Sequence, residues 1–106
     1  MSKGFGNLMR QVQQMQKKMA ITQEELNGKT IEGEAGHGKV KVTVTGGLEI
    51  KSVSIDKDVV DPADTGMLED LLAVAVNDAL SKAKKMKDDE FSKLTAGLPV
   101  NLPGML

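Results

Sequence analysis

Cysteine is absent from this sequence, so neither a disulfide framework nor a thiolate metal site can form. Histidine occurs once, as His37, and with no cysteine available most nucleophile–base pairs are excluded. Tryptophan and tyrosine are missing and phenylalanine occurs twice, so any core has to be built from Val, Leu, Ile, Met and Ala. No apolar run reaches membrane-spanning length, and no stretch reads as a secretory leader. These absences lead to the expectation of a cytoplasmic protein without membrane contact. No pair of carboxylates is pinned in an apolar setting. Gly36-His37-Gly38 has no helix after it and is not a dinucleotide fingerprint; His37 reads as an exposed turn residue. Asp56, Asp58, Asp61 and Asp64 have a superficial calcium-loop spacing, but the central glycine and terminal glutamate of such a loop are lacking. The segment reads as a solvated connection. The expectation is no enzyme, no cofactor, no metal and no small-molecule substrate.

What is present is organised around Lys39–Thr45, Lys-Val-Lys-Val-Thr-Val-Thr. Three valines alternate with lysines and threonines, the period-two pattern of a strand with one buried and one wet face. Glycines close it at both ends, Gly36 and Gly38 before it and Gly46-Gly47 after it. They supply the positive φ that hairpin turns require. Upstream, Ile31, Gly33 and Ala35 alternate with Glu32 and Glu34; downstream, Leu48 and Ile50 fall in one phase and Val53 and Ile55 in the other. That phase change predicts a bulge near Lys51-Ser52. The centre is therefore a three-stranded antiparallel meander over residues 30–55.

A helix is predicted on each side. From Phe5 through Leu8, Val12, Met15, Met19 and Thr22 to Leu26 the spacing is a repeating 3-4 heptad pattern. A stripe this narrow fits packing on one partner helix rather than on a sheet, and Asn27-Gly28 stops it. The second helix covers 65–95, with Asp64 or Thr65 as N-cap. Its Leu68, Leu71, Leu72, Ala75, Val76, Ala79 and Ala83 form a broad face to cover the sheet. Met86, Phe91 and Leu94 continue as a thin stripe able to pair with the first helix. Residues 96–106 hold Pro99, Pro103, Gly97 and Gly104 among Leu98, Val100, Leu102, Met105 and Leu106. This is an apolar tail that cannot be helical. The fold class is α+β, in the order α-β-β-β-α. One domain spans 1–106, with 1–28 as the N-terminal helix. A chain this small, with so few aromatics, buries modest area alone, which favours an oligomer.

Net charge is −1, yet it is unevenly placed. Residues 1–30 carry five bases and two acids, residues 31–80 four bases and ten acids, and residues 81–106 five bases and three acids. An acidic body with basic flanks is a layout for local electrostatic binding. Lys3, Arg10 and Lys17 are seven apart, on the face opposite the apolar seam, with Lys18 beside them. Lys82, Lys84, Lys85 and Lys87 cluster late in the second helix. Each group has two readings: a solvated helix surface, or a set of phosphate contacts.

Five segments together resemble the YbaB/EbfC family of bacterial nucleoid-associated proteins. They are Asn7-Leu8-Met9-Arg10-Gln11-Val12-Gln13-Gln14-Met15-Gln16; Gly38 through Gly46; Val53-Ser54-Ile55-Asp56; Met67-Leu68-Glu69-Asp70-Leu71 with Asn77-Asp78-Ala79; and Gly97-Leu98-Pro99. They lie in order over nearly the whole chain. Lys57 departs from the pattern, where the family usually has proline. The resemblance implies a homodimer with a compact body and protruding helical arms, DNA binding with altered DNA shape, and a place in the nucleoid. It carries a basic role onto Arg10 and Lys18; the other lysines are proposed from charge placement. The alternative function is a protein-interaction module using Met9, Met15 and Met19 with the apolar tail.

Overall fold

The structure, a computed structural model, describes residues 2–96, with side chains from residue 4 onward. Helix α1 spans Ser2–Asn27, β1 Thr30–Ala35, β2 Val40–Thr45, β3 Ile50–Ile55 and α2 Thr65–Thr95, with a 3-10 turn at Lys57–Val59 before α2. The strands form one antiparallel sheet in the order β1-β2-β3. The α-β-β-β-α order is the one expected. The apolar tail lies, past Ala96, outside the described residues.

The valine alternation of β2 does what its period requires. Val40, Val42 and Val44 are fully buried, and Ala75, Ala79 and Ala83 of α2 close over the same core. The helix sits very near β1, because a Cβ at Gly33 would run into the backbone of Ala75 and Ala79. Two polar contacts fix α2 on β1. The Asp78 carboxylate accepts from the Glu34 N–H at 3.0 Å, and Lys82 donates to the Glu32 carbonyl at 3.3 Å while pairing with Asp78 at 3.1 Å. Asp64 is the N-cap, accepting from the Met67 N–H at 3.2 Å.

The bulge falls as the phase change predicts. Thr43 pairs with Ser52 and Val44 with Ile50, which leaves Lys51 as the extra residue. Two turn details differ from the sequence reading. Gly36 and Gly38 have positive φ in the first turn, and so does His37, but in the second turn Leu48, at φ 65°, takes the left-handed position instead of Gly46 or Gly47. Those two glycines serve close approach: a Cβ at Gly46 would meet the Leu26 carbonyl, and one at Gly47 the Asn27 side chain. The Gly46 N–H donates to Leu26 and Lys29 carbonyls, both at 3.0 Å, tying the end of α1 to the end of β2. The acidic connection also differs from a plain solvated loop. Asp56 accepts from the Asp58 N–H at 2.9 Å and caps the 3-10 turn, which drives Val59 into the core.

One helix cannot cover three strands. Strands lie about 4.8 Å apart and a helix is about 10 Å across, so α2 shields β1 and β2 and leaves β3 bare. Helix α1 packs on α2 rather than on the sheet, as its narrow stripe requires. The radius of gyration is 19.9 Å, against about 13 Å for a compact domain of about 100 residues. The excess comes from an arm in which α1 and the last turns of α2 leave the body together.

Candidate nucleic-acid interface

The basic residues separate into two kinds by what they touch. On the body, Lys39 pairs with Asp58 at 3.4 Å and Lys41 with Glu32 at 3.9 Å. Both pairs are solvent-exposed, and Lys29, Lys51 and Lys57, also on the body, form no ion pair among the described residues. On α1, Arg10, Lys17 and Lys18 are exposed, and among the described residues none forms an ion pair. At about 100° per residue Arg10 and Lys17 lie opposite the Leu26–Met19–Met15 seam, and Lys18 lies on its flank. Arg10 and Lys17 are about 10 Å apart along the axis, at about 1.5 Å rise per residue. The side chain of Lys3, the next member of this row, is outside the described residues.

The four lysines of α2 do not act as one group. Lys82 is engaged with Asp78 and the Glu32 carbonyl, so it fastens the helix to the sheet. Lys87 lies half-buried with its Nζ 5.8 Å from the centre of the Phe91 ring, which holds the cation along the helix. Lys84 and Lys85 are exposed and project away from the Ala75–Ala79–Ala83 face. Lys93 pairs with Glu90 at 3.2 Å. Sequence spacing brings the four lysines together; the contacts pull Lys82 out of the set.

Asp78 is held acidic by its partners. The Glu34 N–H, then the hydrogen bond from Lys82, hold its carboxyl below the ordinary aspartate range, against a smaller opposing effect of desolvation. This is a structural anchor, engaged with a backbone N–H of β1 and with a lysine of its own helix. Among the described residues no group of three or more His, Asp or Glu side chains is arranged to hold a metal ion.

A protein-family model described as the YbaB/EbfC DNA-binding family matches residues 1–98. The chain belongs to the YbaB/EbfC DNA-binding family. Curated relatives agree. A nucleoid-associated protein of Syntrophobacter fumaroxidans is 50% identical over 105 residues, covering 99% of this chain and 93% of the relative. One from Ruminiclostridium cellulolyticum is 49% identical, covering 96% and 91%, and one from Enterococcus faecalis is 48% identical, covering 93% and 98%. A crystal structure of an uncharacterized Helicobacter pylori protein superposes with a TM-score of 0.71 at 21% identity, over 80% of this chain and 89% of that one. That likeness bears on the fold. Membership in the YbaB/EbfC family makes this a DNA-binding protein and not an enzyme.

One feature of this YbaB/EbfC chain escapes a residue-by-residue reading of the sequence. Ile50, Val53 and Ile55 share the face of Val44, Val42 and Val40 by register, yet they are 39–51% exposed. The signal that could have found them is the ratio of one sheet-covering helix to three strands. Leu72, Val76 and Leu80, only partly buried, lie on the flank of α2 turned away from the Asp78 and Lys82 contacts with β1. Both rows are apolar and incompletely covered.

Proposed function

We propose that the chain works as a homodimer that binds duplex DNA mostly through the phosphate backbone, using its arms, and alters DNA conformation in organising the nucleoid and regulating genes. The observation that supports this reading most is charge placement: Arg10, Lys17 and Lys18 are exposed along α1 with no ion-pair partner among the described residues, whereas Lys39 and Lys41 on the central strand and its turn are matched to carboxylates. Lys84 and Lys85 add to the same arm, with Lys87 beside them and Lys3 continuing the row. Such cations attract phosphate and carry no base-reading geometry, so binding is weakly sequence-specific. The acidic body keeps DNA at the arms. The relatives are nucleoid-associated by name, and this chain works in the same cytoplasmic compartment.

The exposed apolar face of β3 supports the reading of a second copy. A face in register with a fully buried row of valines is the kind of surface that a protein covers, and a twofold contact is the commonest way to cover it. The test is a titration of DNA binding at two or more salt concentrations, with molar mass measured by light scattering. Steep weakening with salt and a dimer mass support the reading. Salt-independent DNA binding would remove the phosphate reading, and a monomer mass would remove the dimer.

A further inference from the structure

The seam of α1 is not covered along its length. Leu26 is 1% exposed, whereas Val12 is 42%, Leu8 56% and Phe5 66% exposed; Thr22 is buried, and Met19 and Met15 lie between. The cause is a mismatch of lengths. From Ala83 to Thr95 α2 advances about 18 Å, while α1 from Leu26 back to Phe5 spans about 32 Å, at about 1.5 Å per residue. The two helices leave the body side by side in opposite chain directions, so α2 ends well short of the tip. Three successive heptad positions, Phe5, Leu8 and Val12, are left without a partner helix.

The chain continues where that partner ends. Residues 97–106 read Gly-Leu-Pro-Val-Asn-Leu-Pro-Gly-Met-Leu, half of them large and apolar and none charged. We propose that this segment lies along the uncovered seam of α1 in its own chain, taking over from α2 and completing the core of the arm. The direction is right: α2 points toward the tip, and a chain leaving Thr95 needs no reversal to follow it. So is the reach, since six residues from Ala96 to Leu102 extend about 19 Å at about 3.1 Å each, and Met15 to Phe5 is about 15 Å. Leu98, Val100 and Leu102 alternate with Pro99, Asn101 and Pro103. In an extended chain this puts an apolar side chain on one face about every 6 Å, near the average spacing of about 5 Å along Val12, Leu8 and Phe5. Pro99 and Pro103 carry no N–H, so the segment brings fewer unsatisfied donors against an apolar helix. Arg10 and Lys17 are on the other side of α1, so the seated segment stiffens the arm and leaves the cations free.

The chain has no cysteine, so Asn101→Cys gives one site for a nitroxide spin label on the full-length protein. In a sample diluted with excess unlabelled chain, isotope and spin label on the same chain, amide signals of Leu8 and Val12 are expected to lose intensity while those of Leu26 and β3 keep theirs. Adding Leu98→Asp with Leu102→Asp should restore the lost signals. Unaffected amides at the tip, loss confined to β3, or loss only when label and isotope sit on different chains would overturn the proposal. So would persistence of the loss in the double aspartate variant. The measurement is made without DNA, so it stands apart from the fate of the DNA-binding reading.

Discussion

Gly33 shows how much one missing methyl group decides. Its Cα lies so near α2 that a Cβ would meet the backbone of Ala75 and Ala79. Backbone atoms of a packed helix cannot step aside as a side-chain tip can. Overpacking typically costs about 1–3 kcal/mol, and Gly33→Ala belongs at the upper end or beyond. Urea denaturation at fixed protein concentration should show a midpoint well below wild type. An unchanged midpoint would mean that α2 is not seated on β1 as described. Asp78 is the second residue of this kind, and its signature is pH. Its carboxyl is held low in the folded protein by the Glu34 N–H and by Lys82. A depressed folded pKa contributes stability that is fully present above the unfolded value of about 3.9. That stability is lost as pH falls through the folded value. Asp78→Asn should therefore lower the melting temperature at pH 7 and flatten its dependence on pH below about 4. Equal acid sensitivity in variant and wild type would show that the anchor contributes nothing.

At the scale of elements, the two helices and three strands were legible because each has its own period. The 3-4 spacing from Phe5 to Leu26 read as a helix meant for a helix, and the structure packs α1 on α2. Val40, Val42 and Val44 read as one buried row, which they are. The phase slip placed the bulge at Lys51. Three things were not legible, because none is periodic. Val59 reaches the core only through the Asp56-capped 3-10 turn. Leu48 takes the left-handed position although Gly46 and Gly47 stand just before it, and those glycines instead pass close to Leu26 and Asn27. Among the basic candidates, spacing could not separate Lys82, whose carbonyl and carboxylate partners come from folding, from Lys84 and Lys85. That separation is testable. Arg10→Ala and Lys17→Ala, at exposed positions on α1, should leave stability within about 0.5 kcal/mol and weaken DNA binding at low salt. Lys82→Ala should lower stability measurably, through α2 coming loose from β1, and weaken binding less than Lys84→Ala combined with Lys85→Ala. Binding titrations and thermal melts on the same samples decide it. A DNA effect of Lys82→Ala as large as that of Arg10→Ala would return Lys82 to the interface.

At the scale of the molecule, the proposed dimer contact beside β3 and the proposed DNA contacts on the arms lie on different parts of the protomer, so substitutions can address one without touching the residues of the other. Val53 is half-exposed on the face beside β3, so Val53→Asp puts a charge on a surface that a single protomer leaves wet. The protomer keeps its Val42–Ala79 core. In a dimer the same charge would be buried without a partner, at a cost of several kcal/mol per ion, paid twice across a twofold contact. Light scattering should then give a monomer mass for Val53→Asp and a dimer mass for wild type. The consequence for DNA follows from counterion release. Each phosphate neutralised adds about 0.9 to the slope of log affinity against log salt. A dimer with both arms on one duplex makes every contact twice, so Arg10→Ala should reduce the slope by about 1.8. In the monomeric Val53→Asp background the same substitution should remove only about 0.9, from a total slope near half that of wild type. The weakening should be alike on unrelated sequences, since phosphates carry no sequence information. A Val53→Asp protein that remains dimeric would move the contact away from β3. A monomer that kept the full salt slope would mean that one arm alone accounts for the binding, and that the second copy serves something other than the grip on DNA.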